Sequence, residues 1–287
     1  MSDFIFKASI LVAFITACAG TAHAQISHGM DYKQELLPVI EVIDEHFEIP
    51  QLIKTRRIAA ILPHNYHHTD KRYPVLYLQD GQNLFDDHAP FGSWEVPRKL
   101  AWLAERGMGD VIIISIDHAE SERLAEFTPS RETQLGIGDG QQYARFLAET
   151  LKPYVDAHFR TLPAREHTGI GGSSMGALIS IYATMQFPMV YSKLLIFSPS
   201  LWVSPELSEE FVRDTPTYYG RIYLYGGTAE GGDMVEHLTR LYGLVKENPH
   251  GRNLPVELSV REGGEHNEAA WGQEFPRAIA WLYFQDL

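Results

Sequence analysis

The stretch HTGIGGSSMGALISIYATMQFP, His167 to Pro188, decides how the whole chain is read. Glycines stand on both sides of two serines, between an apolar strand pattern and a helix pattern that stops at Pro188. Within it, Gly172-Ser173-Ser174-Met175-Gly176 fits G-x-S-x-G in the strand–turn–helix setting that this pattern needs. At so sharp a bend, a bulky residue two positions either side of the central serine would collide with the adjoining backbone, and glycine relieves the crowding. The bend exposes the Ser174 Oγ at the carboxyl end of a sheet. The helix start turns backbone N–H groups toward any negative oxygen that develops there. Five residues alone also fit a plain glycine turn with incidental serines, so the surroundings must decide.

Working outward, Ile58, Ala60 and Leu62 alternate as in a strand, and Pro74-Val-Leu-Tyr-Leu is a buried strand ending at Asp80-Gly81. WEVPRKLAWLAERG reads as a helix stopped by Gly107, and Val111-Ile-Ile-Ile-Ser-Ile as a second buried strand. Asp139 and Gln142 read as an N-cap and its N3 partner, opening a helix with Tyr143, Phe146, Leu147, Leu151 and Val155 on one face. Beyond Pro188 come strands at Leu194–Phe197, Arg221–Tyr225 and Val256–Val260. A helix from about Asp233 to Asn248 precedes the last of these, and another closes the chain. Strands alternate with helices, and the central strands are continuous apolar runs. This predicts an α/β fold, a mostly parallel sheet with helices on both faces. No repeat or linker divides it, so residues 25–287 read as one domain.

The amino terminus reads differently. Lys7, the apolar ASILVAFITA (Ala8–Ala17), too short to span a bilayer, and Ala22-His23-Ala24 make residues 1–24 a signal peptide. Cleavage would leave Gln25 first, in a periplasmic or secreted protein. The alternative is a lipoprotein signal, because Ile15-Thr16-Ala17-Cys18 resembles a lipobox that would anchor the chain through Cys18. Cys18 is the single cysteine, so a chain cut after Ala24 has neither disulfides nor thiol catalysis. No other run is apolar for long enough to cross a membrane. A net charge of −13 without any basic cluster argues against nucleic acid as a partner.

A serine hydroxyl is a poor nucleophile until a base takes its proton, and elbows of this kind draw acid and then histidine from later in the chain. The histidines after Ser174 are His237, His250 and His266. His237 lies inside a helix pattern, and His250 follows Asn248-Pro249 in a turn. His266, in Glu262-Gly-Gly-Glu-His-Asn, stands between the last strand and the last helix, where a loop returns to the sheet edge that holds Ser174. His266 is the expected base. The acid is expected after the strand Arg221–Tyr225, in GGTAEGGD, where Glu230 and Asp233 compete. Asp233 has Glu236 three residues on and an amphipathic run behind it, so it reads as a helix N-cap. Glu230 is preferred as the acid on that ground.

Five ordered motifs carry a resemblance: YPVLYLQDGQNLF (Tyr73–Phe85), IDHAESERLAEFTP (Ile116–Pro129), GIGGSSMGALIS (Gly169–Ser180), SPSLW (Ser198–Trp202) and GGEHNEAAW (Gly263–Trp271). From about Gln51 onward the chain resembles the esterase branch of the α/β-hydrolases, which holds enterochelin esterases, S-formylglutathione hydrolases, feruloyl esterases and mycolyltransferases. The resemblance implies an α/β-hydrolase fold, a small-molecule ester as substrate, and no cofactor or metal. It implies oxyanion donors at the backbone N–H groups of Gln82, after Asp80-Gly81, and Met175, after the nucleophile. Chemistry agrees with that pair, because one donor must follow the nucleophile and the other must come from an earlier strand end. Asp80 precedes Ser174 in the chain and reads as shaping the oxyanion turn.

Some siderophore esterases of the branch work with a Ser-His pair, which leaves Glu230 either essential or supporting. Arg123 and Glu126 are family-like, as substrate contacts or as an ion pair fixing a long loop. Trp94, Trp202 and Trp271 are candidates to line an acyl or aromatic pocket, or to pack. His64, His67 and His68 lack carboxylates at ligand spacing and read as a solvated turn rather than a metal site.

The expectation is a serine ester hydrolase acting through an acyl-enzyme, with enterochelin-type catecholate-siderophore trilactones preferred as substrate. Feruloyl or acetyl esters of plant-derived carbohydrate come second, and acyl transfer third. The rival from another class is a binding protein on a hydrolase scaffold. Loss of nucleophile, base or oxyanion turn would mark it, and none is lost.

Overall fold

The computed structural model describes residues 31–85, 89–215, 218–248 and 254–284. The signal-peptide and lipobox readings, and the position of His250, lie outside these residues. In chain order the elements are β1 (Val39–Ile49), β2 (Lys54–Leu62), β3 (Val75–Gln79), α1 (Gln82–Phe85), α2 (Val96–Ala104), β4 (Ile112–Ile116), α3 (Arg123–Phe127) and α4 (Gly140–Arg145). Then follow α5 (Lys152–His158), β5 (Thr168–Ser173), α6 (Met175–Gln186), β6 (Lys193–Phe197), α7 (Leu207–Asp214), β7 (Arg221–Gly227), α8 (Met234–Glu247), β8 (Val256–Arg261) and α9 (Glu268–Tyr283).

The strands form one sheet in the order β1-β2-β4-β3-β5-β6-β7-β8. β1, β2 and β4 are joined by antiparallel pairing, and every pairing from β4 to β8 is parallel. Parallel neighbours need crossovers, and these bring helices to both faces. Leu194 and Ile196 of β6 therefore pack with Leu178 and Ile181 of α6 and Leu238 of α8. Leu195 and Phe197, pointing the other way, pack with Leu100 of α2 and Phe275 and Ile279 of α9. Both faces of a central strand are buried, which is why β6 reads as an unbroken apolar run.

Four elements lie outside what periodicity shows: the short helices α1 and α3, and β1 and α7. β1 is an edge strand carrying Glu41, Asp44, Glu45, His46 and Glu48, with register shifts on either side of Asp44 that break its alternation. α7 is only eight residues long, with Leu207 and Phe211 as its buried apolar pair. The helix expected after Asp139 runs from 140 to 158 but widens into a π-helical segment at Phe146–Leu151. Pro153 follows that segment, and it has no N–H for the carbonyl four residues back. Asp139 occupies the N-cap position without a side-chain capping bond; the Ser130 Oγ accepts from the Gln141 N–H instead, at 2.9 Å.

Candidate active site

Ser174 joins β5 to α6 with φ 55° and ψ −121°, a conformation that costs an L residue energy unless its surroundings hold it. They do. The Ser174 N–H donates to Phe197 O at 2.9 Å, and the Ser174 carbonyl accepts from the Leu178 and Ser200 N–H groups at 3.1 Å each. The flanking glycines are sterically required. A Cβ on Gly172 would stand 2.9 Å from the Gly176 carbonyl carbon, and one on Gly176 would stand 2.8 Å from Asp80 Oδ2. Ser173 is buried in β5, whereas Ser174 is partly open to solvent.

His266 lies just before Asn267, whose Oδ1 accepts the Ala270 N–H at 2.9 Å and caps α9. Its Nε2 is 3.1 Å from Ser174 Oγ, and its Nδ1 is 2.8 Å from Glu230 Oε2. Glu230 reaches it because the loops after β7 and β8 are stitched together: Thr228 N to Arg261 O at 3.0 Å, Ala229 N to Gly264 O at 2.9 Å, and Gly263 N to Thr228 Oγ1 at 2.9 Å. The Glu230 side chain is 1% exposed, so its carboxylate needs partners. Oε1 accepts from the Gly227 N–H at 2.6 Å and from the Ser198 hydroxyl at 2.7 Å. Asp233 stands at the N-cap position of α8, exposed and without a side-chain capping bond. The structure thus brings Ser174, His266 and Glu230 together and leaves Asp233 outside.

Gln82 and Met175 are the first residues of α1 and α6, so neither amide has an intrahelical carbonyl to bond. They follow adjacent parallel strands, with Leu78 of β3 paired to Gly171 of β5. Two clamps hold the turn that carries Gln82. The Arg123 Nε and Nη2 donate to Asp80 Oδ1 and Oδ2 at 2.6 and 2.8 Å. The Gln82 side chain donates to His118 O at 3.1 Å and accepts from the His118 N–H at 2.9 Å. Arg123 is therefore engaged with Asp80, while buried Glu126 meets Arg56 Nη2 through both oxygens, at 2.8 and 2.7 Å, and Lys54 at 3.2 Å. Arg123→Met leaves the Asp80 carboxylate buried without its cation. It is expected to destabilise the fold by about 3 kcal/mol and to lower kcat up to roughly 10²-fold by loosening the turn. Thermal unfolding and steady-state kinetics check this; an unchanged kcat would leave the turn to the Gln82 clamp alone.

Two of the three tryptophans are buried in the core. Trp94 is stacked on Phe197 at 5.4 Å and buried. Trp271 is also buried, edge-on to His266 at 4.9 Å, with its indole N–H donated to Ser198 Oγ at 2.9 Å. Aromatic area goes to the core here because α2 and α9 must seal this face of the sheet. Trp202 is 52% exposed and two residues beyond Ser200, whose Oγ is 3.1 Å from Ser174 Oγ. Ser198 and Ser200 carry no role in the sequence alone, although both lie in the SPSLW motif. A polar cleft of about 350 Å³ adjoins Gln82, lined among others by Arg56, Arg57, Asp117 and His118. Burial pushes Asp117 up to about 6 and the His118 imidazole down from its ordinary value. In the polar turn, His67 Nε2 pairs with Glu41 of β1 at 2.9 Å.

Residues 50–282 match the model of the Esterase family, described as Putative esterase. An uncharacterised Bacillus subtilis protein, YbbA, is 23% identical over 242 residues, which cover 79% of this chain and 92% of that one. Among solved structures, the siderophore hydrolase EstB of Aspergillus nidulans is similar, with TM-score 0.68 and 18% identity over 86% of this chain and 96% of its own. So is a feruloyl esterase module of Clostridium thermocellum complexed with sinapinate, with TM-score 0.66 and 14% identity over 95% and 97%. Identities this low speak for the shared fold. The family match reaches further, because it runs from Pro50 to Leu282 through both the serine elbow and the histidine loop. The chain belongs to the Esterase family and is a carboxylic-ester hydrolase with the α/β-hydrolase fold.

Proposed function

We propose that the enzyme hydrolyses its ester through an acyl-enzyme on Ser174, with His266 as base and Glu230 as the group that orients it. The two contacts of one imidazole carry this reading: 3.1 Å to the serine hydroxyl and 2.8 Å to a buried carboxylate. A carboxylate at Nδ1 holds the proton there and leaves Nε2 free to accept the Ser174 proton. As Oγ bonds to the ester carbon, the carbonyl oxygen becomes negative and receives the N–H groups of Gln82 and Met175. The alcohol departs with the proton from His266 Nε2. Water then attacks the acyl carbon, gives a proton to His266, and Ser174 leaves with it.

For substrate we favour catecholate-siderophore trilactones. The support is the signal-like leader, which suits a periplasmic address, and a backbone shared with a siderophore hydrolase. Feruloyl or acetyl esters of carbohydrate are the second reading, favoured by the polar cleft beside Gln82, where carboxyl, guanidinium and imidazole groups suit sugar hydroxyls. Mass-resolved products from parallel incubations with a catecholate trilactone and a feruloyl-arabinose ester decide between them. Cleavage of the feruloyl ester alone would end the siderophore reading. An ester of a second alcohol appearing among the products would mark acyl transfer.

The address has its own measurement. Intact mass of the protein isolated from its host is expected to correspond to a chain starting at Gln25, and a diacylated Cys18 would replace secretion with a lipid anchor.

A further inference from the structure

Of the strands, β6 lies between the one that delivers the nucleophile and the one that delivers the acid: its last residue, Phe197, pairs with Ser173 on one side and Tyr225 on the other. The three residues that leave it reach both ways. Ser198, with φ 44° in a non-glycine residue, donates its N–H to Tyr225 O at 2.7 Å and its hydroxyl to Glu230 Oε1 at 2.7 Å. Ser200 donates its N–H to Ser174 O at 3.1 Å and places its Oγ 3.1 Å from Ser174 Oγ. Both serines are buried.

We infer that Ser198-Pro199-Ser200 is a positioning segment that sets the acid and the nucleophile in one frame. Ser198 acts through Glu230 and Ser200 acts at Ser174. The inference rests on the acyl-enzyme reading of Ser174, His266 and Glu230. Hydrogen-bond chemistry fixes the direction of each bond. An indole is a donor only, so Ser198 Oγ accepts from Trp271 Nε1 at 2.9 Å, and its own hydrogen is left for Glu230. At the other end, Ser174 gives its hydrogen to His266 Nε2, so its Oγ is the acceptor for the Ser200 hydroxyl. Between the two, the pyrrolidine ring of Pro199 fixes φ. A left-handed serine costs stability, and it persists here where its strained backbone aims the hydroxyl at the carboxylate rather than into solvent.

Trp271 completes the frame. Its N–H fixes the Ser198 hydroxyl, and its ring stands perpendicular to the His266 ring at 4.9 Å, so one buried side chain limits both the acid and the base. Packing alone would ask only for an apolar ring at this position.

The test is a set of kinetic cycles on a chromogenic short-chain ester, with Ser198→Ala, Trp271→Phe and Ser200→Ala each made in the wild-type and in a Glu230→Ala background. In the wild-type background, Ser198→Ala is expected to lower kcat roughly 10- to 100-fold with KM unchanged, and Trp271→Phe to lower it less. In the Glu230→Ala background both are expected to be silent, because nothing remains for Ser198 to hold. Ser200→Ala is expected to lower kcat by the same factor in both backgrounds, because it works at the nucleophile. Trp271→Phe keeps the ring and its packing, so it carries the test if Ser198→Ala fails to fold. A Ser198→Ala loss of equal size in both backgrounds, or no loss in either, overturns the inference. Ser174→Ala and His266→Ala are run beside them: if either kept wild-type turnover, the acyl-enzyme reading itself would be at fault, whatever Ser198 showed.

Discussion

Ser174→Ala is expected to remove ester hydrolysis, a loss on the order of 10³-fold or more, while Ser173→Ala stays close to wild type. The two serines are neighbours in sequence and opposites in setting. Ser173 is 4% exposed within β5 and paired to Phe197. Ser174 sits on the strained bend, partly open to solvent, with His266 Nε2 at 3.1 Å. Removing its Oγ takes away the atom that forms the acyl bond and leaves only binding and the oxyanion amides. A fluorophosphonate reagent is expected to label Ser174 alone. Label found on Ser173, with Ser174→Ala still active, would refute the assignment.

Glu230→Gln is expected to cut kcat by roughly 10²- to 10⁴-fold with the fold intact. The reason is specific to this site. Oε1 receives two donors, the Gly227 N–H and the Ser198 hydroxyl, so a carboxamide at 230 would put its oxygen there. Its NH₂ would then face His266 Nδ1, where Oε2 now stands at 2.8 Å. Two donors cannot share that contact, so the imidazole must move its hydrogen to Nε2 and lose the lone pair that accepts the Ser174 proton. Asp233→Asn is expected to be nearly silent, because Asp233 is exposed and its side chain makes no capping bond. Near-wild-type kcat for Glu230→Gln beside an inactive His266→Ala would make the enzyme a Ser-His pair. A large loss for Asp233→Asn instead would move the acid there.

The N-cap reading of Asp233 holds by position, since Asp233 directly precedes α8, but the capping bond it implies is not what separates the two carboxylates. Asp233 makes no cap bond, and what places Glu230 is the stitching of two loops distant in sequence. The tryptophans mark a similar limit. A large aromatic beside a site motif fits a pocket wall and a core equally well, and the packing of α2 and α9 on the sheet puts Trp94 and Trp271, the latter within α9, in the core. The sequence admits Arg123 both as a substrate contact and as an ion-pair partner, because nothing local in it says that a loop after β4 will fold back on Asp80.

What the sequence determined by itself is whatever local sterics and periodicity dictate. The elbow at Ser174 requires the glycines at 172 and 176. The apolar runs of β3, β4 and β6 require a sheet buried on both faces. The position of His266 between the last strand and the last helix returns it to the carboxyl edge. Only the tertiary structure decided what depends on side chains meeting across the sheet. It chose the carboxylate for His266, paired Arg123 with Asp80, and made the strained segment after β6 touch Glu230 on one side and Ser174 on the other. A hydrogen bond spans about 3 Å in space but joins residues far apart in the chain, so its partner is fixed only once the loops have closed.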